Sequence, residues 1–317
     1  MTDDVTNRSR HEGVTPPAMT VDQVSGSTEY FEMESTSVGA RFAIWVTTSP
    51  TYSQDEQDYP VLYVTDGNYS LGQTAPLAVM QSDLALPIAP YLQVTVGYAG
   101  ADTQDRTRVR NRDLLPHGEP IPPATRSSLE TTIEHQLMTQ EEADAYLDQL
   151  ANPRADAFLA FITDELYPEI ARRYRVAPEG HGLFGYSYGG AFTLYALLTG
   201  CPMFAAYGAG SPGVTSSESK LLTFADKPLD LIGRRPHLTI NGPEMTGELP
   251  IYRMLGREFT LLVESLRTTD SGLALTTQML GETHLTGLQS SFLSFMRTCW
   301  SESSMSSAAT FREGCQC

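Results

Sequence analysis

HGLFGYSYGGAF, residues 181–192, decides how this chain is read. An apolar run, His181 to Phe184, meets Gly185, Tyr186, Ser187, Tyr188 and Gly189, and the small residues Gly190 and Ala191 then open a helix-like GGAFTLYALLTG. Packing alone gives no reason to set a serine between two aromatic residues, and those between glycines. A sharp strand-to-helix turn does, because glycines two positions either side of the serine remove side chains that would collide with the neighbouring strand and helix. With glycine near 7% per position, a bare G-x-S-x-G arises by chance in roughly one chain in ten of this size, so the flanking pattern has to carry the reading.

Outward from this turn the chain alternates. Phe42, Ile44 and Val46 alternate with Ala43, Trp45 and Thr47, the period of a half-buried strand. YPVLYVTDG and YLQVTVGYAG are short continuous β-branched runs ending in glycine, as strands buried on both faces of a parallel sheet are. From Asn152 a helix is predicted, capped by Asn152 with Pro153 at its first position, burying Phe158, Phe161, Ile162 and Leu166, and kinked or divided at Pro168. After the turn come strand-like FAAYGAG, strand-like PHLTI, helix-like REFTLLVESLRT and strand-like LALTTQML. A last helix shows Leu288, Phe292, Phe295, Met296 and Cys299 on one face, with Thr286 and Gln289 at capping-box spacing. Strands alternating with helices predict an α/β fold with a mostly parallel central sheet and helices on both faces.

One domain is expected over residues 26–300, between a flexible leader (1–25) and a Ser-rich flexible tail (301–317). Residues 117–151 interrupt the alternation. They begin with turn-forming prolines and end in a helix that Thr139 and Glu142 can cap, a helical insertion suited to a lid or cap, or to a surface decoration. Lys plus Arg number 21 against 38 Asp plus Glu, a formal charge of −17 that repels nucleic acid and anionic lipid. No apolar run reaches the roughly 18 residues a membrane span needs, and the N-terminus lacks a secretory signal's apolar core, so a cytoplasmic location is the default expectation. Four cysteines (Cys201, Cys299, Cys315, Cys317) are too few and too unevenly spaced for a disulfide framework or zinc site; no metal or organic cofactor is implied.

A serine hydroxyl becomes a useful nucleophile only when a base takes its proton and donors receive the charge on the carbonyl oxygen. Of six histidines, only His284, in LGETHLTGL, lies in a loop between a late strand and the last helix, where a base in this strand order is expected. The base needs a carboxylate to hold its tautomer, from a loop at the C-terminal edge of the sheet. Glu244 follows the strand ending at Ile240 and is nearest; Glu248, Asp270 and Glu282 compete with it. The oxyanion donors are expected to be the backbone N–H groups of Tyr188 and Asn68, with Gly67 in YVTDGNYSLG letting the chain turn. Arg106, Arg108, Arg110 and Arg112 share a side if their segment is extended, which makes Arg112 a candidate for holding an anionic group of a substrate.

These residues resemble the "Putative esterase" group of α/β hydrolases, which contains esterase D, ferric-siderophore esterases, feruloyl and acetylxylan esterases and mycolyltransferases. The resemblance runs from about Ser37 to Trp300 and rests on YPVLYVTDGN, RNRDLLP, FLAFITDELYPEIARRYRV, GYSYGG, FAAYGAGSP and GETHLTGL. It implies the α/β-hydrolase fold, with Ser187 as nucleophile, His284 as base and Glu244 as the acid. The implied activity is a serine carboxylic-ester hydrolase acting through an acyl-enzyme on a small-molecule ester or lactone. An acyltransferase using the same triad, or a non-catalytic binding protein, are the alternatives. Where siderophore esterases carry tryptophans after GSP, this chain has GVTSSESK, so no single branch's substrate carries over.

Overall fold

A computed structural model of the chain describes residues 28–49, 51–75, 88–104, 106–227, 230–247, 250–268 and 272–301. The expected leader, and the tail beyond Ser301 with Cys315 and Cys317, lie outside these residues. Ser301 itself still bridges Ile88.

The described strands form one sheet: β1 (Thr28–Ser35), β2 (Ala40–Thr47), β3 (Val61–Val64), β4 (Leu92–Tyr98), β5 (His181–Tyr186), β6 (Phe204–Gly210), β7 (Arg235–Asn241) and β8 (Thr276–Leu280), in the order β1-β2-β4-β3-β5-β6-β7-β8. β1 and β2, and β2 and β4, pair antiparallel, and every later pair is parallel. Strands β3 to β7 are buried almost throughout, which is why they read as continuous apolar runs. The edge strand β1 was not legible, because most of TEYFEMES is exposed or half-buried.

Helices cover both faces: α1 (Gly67–Thr74), α2 (Arg106–Leu114), α3 (Pro123–Glu134), α4 (Gln140–Ala151), α5 (Ala155–Ala160), a π turn (Phe161–Leu166), α6 (Tyr167–Arg173), α7 (Tyr188–Leu198), α8 (Lys220–Ala225), α9 (Gly242–Thr246), α10 (Pro250–Thr268) and α11 (Gly287–Cys299). One large core holds Phe42, Phe158, Phe161 and Phe192, with Phe42 stacked on Phe161 at 4.5 Å. A second, under α11, holds Phe184, Phe292, Phe295, Met296 and Trp300. None of the described helices is long and apolar enough to cross a membrane.

Three local expectations need correction. Asn152 ends α4 instead of capping the next helix, which starts at Ala155 beyond Pro153. Pro168 does divide the predicted helix, as expected. It lacks the N–H that an α-helical turn needs, and the chain takes a π turn over Phe161–Leu166 immediately before α6. Residues 106–114 are helical, not extended, burying Val109, Asn111, Asp113 and Leu114. Two positions along a helix turn by about 200°, so Arg110 and Arg112 point apart. Thr286 makes no capping box with Gln289; its hydroxyl donates instead to Glu282 at 2.7 Å. The 117–151 insertion contains two helices, and Thr139 and Glu142 do form the expected capping box.

From β3 the chain crosses to β4 on one side and, after α6, to β5 on the other. A crevice therefore opens beyond the C-terminal ends of β3 and β5, where open α/β sheets bind ligands. Asp66 and Ser187 both lie on it.

Candidate active site

Ser187 follows β5 with φ 57° and ψ −120°, a conformation L-residues rarely adopt. The surroundings enforce it: the Ser187 N–H donates to Gly210 O at 2.9 Å, and its carbonyl accepts from Ala191 N at 3.0 Å and Gly213 N at 2.8 Å. A Cβ on Gly185 would overlap the Gly189 carbonyl, and one on Gly189 would overlap the Thr65 hydroxyl. Both glycines are therefore demanded by close approach.

His284 comes from the loop between β8 and α11. Its Nε2 lies 3.2 Å from Ser187 Oγ, and its Nδ1 lies 2.6 Å from Glu244 Oε1. The rings of Tyr186 and Tyr252 pack on the imidazole at 5.4 and 5.6 Å, the second nearly parallel at 26°. Glu244 is wholly buried in the first turn of α9, a short helix that Pro243 and Asn241 help to start. Its Oε1 also accepts from Asn241 Nδ2 (3.1 Å), and its Oε2 from Ser211 Oγ (2.6 Å) and the Asn241 N–H (2.9 Å). Burial pushes the Glu244 pKa up, but the hydrogen bonds from His284, Ser211 and Asn241 outweigh it and hold the carboxyl below its ordinary value. A carboxylate held by these donors is placed to accept the Nδ1–H of the imidazole.

Among the other acids considered, Glu282 accepts from Thr286 and Ser290 at the start of α11, while Glu248 and Asp270 lie outside the described residues. Ser211, Asn241, Tyr186 and Tyr252 had not been singled out from sequence. Tyr186 and Ser211 lie within stretches already quoted, GYSYGG and FAAYGAGSP, but only as neighbours of the turn and a strand end, and Asn241 and Tyr252 carry no local motif.

Tyr188 opens α7 and Gly67 opens α1, so the backbone amides named as oxyanion donors belong to helix first turns, whose N–H groups lack partners within the helix. The turn works differently from the expectation. Asp66, at φ 58°, takes the left-handed conformation, and the missing Cβ of Gly67 makes room for Trp45 and β4. Asn68 pins α1 to the sheet, donating from Nδ2 to Tyr98 O at 3.1 Å and accepting from Tyr98 N at 2.7 Å.

Arg112 is not among the described residues that line the cleft at Ser187. Its guanidinium forms a two-point ion pair with buried Asp113, at 2.7 and 2.8 Å, and lies 3.5 Å from Asp102. Arg110 faces the crevice instead and pairs two-point with Asp66. Ser187, His284, Tyr186, Tyr69, Leu285 and Leu288 complete most of the described wall of a cleft of about 290 Å³.

A "Putative esterase" family model matches residues 35–248. The chain belongs to that family. This esterase is 27% identical over 242 residues to the ferri-bacillibactin esterase BesA of Bacillus subtilis, covering 76% of this chain and 75% of that protein. It is 30% identical over 168 residues to the siderophore enterobactin esterase of Emericella nidulans, covering 52% of this chain and 49% of the relative. Its fold matches the crystal structure of an IroE-like serine hydrolase from Shewanella oneidensis, with a TM-score of 0.66 at 21% identity over 86% of this chain and 80% of that one.

A larger cleft in the esterase, about 720 Å³, opens at the opposite ends of β5 and β6, lined by Tyr167, His181, Tyr195 and Cys201 among others. Size does not make it the reactive site. His181 Nε2 has no hydrogen-bond partner there, so His181 and Cys201 are not joined as base and nucleophile. No three His, Cys, Asp or Glu side chains among the described residues gather around a possible metal position.

Proposed function

We propose that this chain is a serine esterase that cleaves an ester bond of a siderophore or a similar lactone through an acyl-enzyme. Ser187 Oγ attacks the ester carbonyl while His284 Nε2 takes its proton, and Glu244 holds the Nδ1–H tautomer that leaves Nε2 free to accept. The backbone amides of Tyr188 and Asn68 receive the negative charge on the carbonyl oxygen. The alcohol leaves with the proton held by His284, and water, deprotonated by the same imidazole, releases the acid and restores Ser187. The observation that carries the reading is the unbroken hydrogen-bonded path from Ser187 Oγ through His284 (3.2 Å) to buried Glu244 (2.6 Å). The siderophore part rests on the relatives' activities, and their esterase names favour water over another acyl acceptor.

The test is labelling with a fluorophosphonate and turnover of ferric bacillibactin, ferric enterobactin and p-nitrophenyl esters, followed by mass spectrometry. Wild type is expected to label and to hydrolyse, and Ser187→Ala to do neither. Equal turnover by both proteins without labelling refutes the serine mechanism. Turnover of simple esters alone refutes the siderophore assignment.

A further inference from the structure

Among its described lining residues the cleft beside Ser187 contains one permanent cation, and that cation is already answered. Arg110 donates from Nε to Asp66 Oδ1 at 2.8 Å and from a terminal nitrogen to Asp66 Oδ2 at 2.7 Å. The two side chains are 16% and 7% exposed, so little water is left to screen them. The guanidinium also lies 5.3 Å over the Tyr188 ring. Asp66 holds its place through a left-handed backbone and through Gly189, whose missing side chain leaves room for its carboxylate. The rest of the wall is largely apolar or aromatic, with Tyr69, Tyr186, Leu285 and Leu288.

A closed two-point pair offers an incoming group a dipole, not a charge. An anionic acyl chain would have to displace Asp66 or lie beside its carboxylate without compensation, and either course leaves a poorly solvated charge unpaired. We propose that Asp66 is a specificity-determining residue: by masking Arg110 it confines the Ser187 cleft to acyl groups without net charge, aliphatic or aryl, and keeps any charged part of the substrate outside. This rests on the ester-hydrolase reading and narrows it. The sequence suggested Arg112 for anion binding; the arginine that faces the cleft is Arg110, and its charge is already met by the Asp66 carboxylate.

The test compares two activated esters with acyl chains of equal length, p-nitrophenyl butyrate and mono-p-nitrophenyl succinate. Wild type is expected to prefer the butyrate. Asp66→Asn keeps the shape and tolerates the left-handed backbone. It should raise the succinate-to-butyrate ratio of kcat/KM at least about tenfold, the size of one contact to a charged group. The gain should shrink with added salt and vanish in Asp66→Asn with Arg110→Gln. Should Asp66→Asn fail to fold, Arg110→Gln alone reads the same rule, since it leaves Asp66 uncompensated and should lower the ratio below wild type. Falling rates with an unchanged ratio, or a gain that survives loss of Arg110, overturn the proposal. Binding of benzoate, followed by saturation-transfer NMR, reads the rule without turnover: binding is expected for Asp66→Asn and not for wild type or the double variant. Equal benzoate binding in all three overturns the charge rule. Selective binding with no Ser187-dependent turnover of either ester overturns the hydrolase reading and leaves the charge rule standing.

Discussion

Glu244→Gln tests the proposed reaction more sharply than replacing Ser187, because it changes one atom and the structure specifies the consequence. The carboxylate faces four donors: His284 Nδ1 and Asn241 Nδ2 at Oε1, and Ser211 Oγ and Asn241 N at Oε2. A glutamine must point its NH₂ at one of these pairs. Toward Oε1 it meets His284 Nδ1, which then has to accept, so the imidazole proton moves to Nε2 and points a donor at Ser187 Oγ. Toward Oε2 it opposes the Asn241 N–H, and only the Ser211 hydroxyl can reverse to receive it. The first arrangement removes the proposed general base, and comparable changes of tautomer cost about 10⁴-fold in kcat. We expect a loss of about 10³- to 10⁴-fold, or about 4 to 5.5 kcal/mol of transition-state stabilisation. The opposed buried donors should cost about 1–3 kcal/mol of stability. That stability difference also has a pH signature. Because the folded pKa of Glu244 is depressed from 4.5, its carboxylate contributes stability fully above about pH 4.5 and loses it as pH falls through the folded value, a dependence the glutamine lacks. The assay is steady-state kcat on p-nitrophenyl butyrate with thermal unfolding alongside. A variant that folds normally and keeps kcat within about tenfold of wild type would refute the tautomer argument.

The remaining predictions concern the turn, the buried histidines and the ring beside His284. Gly185→Ala should lower stability by at least about 3 kcal/mol and Tm by about 5 °C or more, because the new methyl overlaps a backbone carbonyl; a soluble, active variant of wild-type Tm would show that the turn can relax. His181 and His237, 2% and 3% exposed, have pKa values pushed down to about 4 by burial, against 6.5 in an open chain. Between pH 6.5 and 4 the unfolded chain binds protons the folded one refuses, so stability is full above about 6.5 and falls toward 4, by about 3 kcal/mol per histidine. Urea midpoints across this range should fall steeply for wild type and less for His237→Gln; parallel profiles would contradict this. Tyr252→Ala should reduce kcat roughly tenfold with little change in KM, and Tyr252→Phe should restore it, since the ring and not the hydroxyl faces the imidazole; equal loss in both variants would point to the hydroxyl.

What the chain announced and what it withheld follow from where the relevant forces act. β2, β3 and β4 were legible because burial writes its period into consecutive residues, and the turn at Ser187 because its glycines answer a clash within a few residues. The Arg106–Leu114 segment misled because alternate arginines mimic a strand face, while the pull on it came from burying Val109 and Leu114 in the core. Asn152-Pro153 reads equally well as the end of one helix or the start of the next, and the end of α4 claimed it. Thr286 makes no capping bond, and its hydroxyl donates to Glu282, four residues earlier, a pairing that the spacing to Gln289 did not suggest.

The sequence by itself determined the α/β alternation, the strained serine turn and a short list of partners for Ser187, since each depends on neighbours a few residues apart. Only the tertiary structure decided that Glu244 lies against His284, that Ser211 and Asn241 hold Glu244, and that Arg110 faces the cleft with its charge met by Asp66. Those pairings join residues from different strands and loops across the sheet edge. Hydrogen bonding and charge neutralisation in a buried site depend on distance in space, which no local spacing of residues encodes.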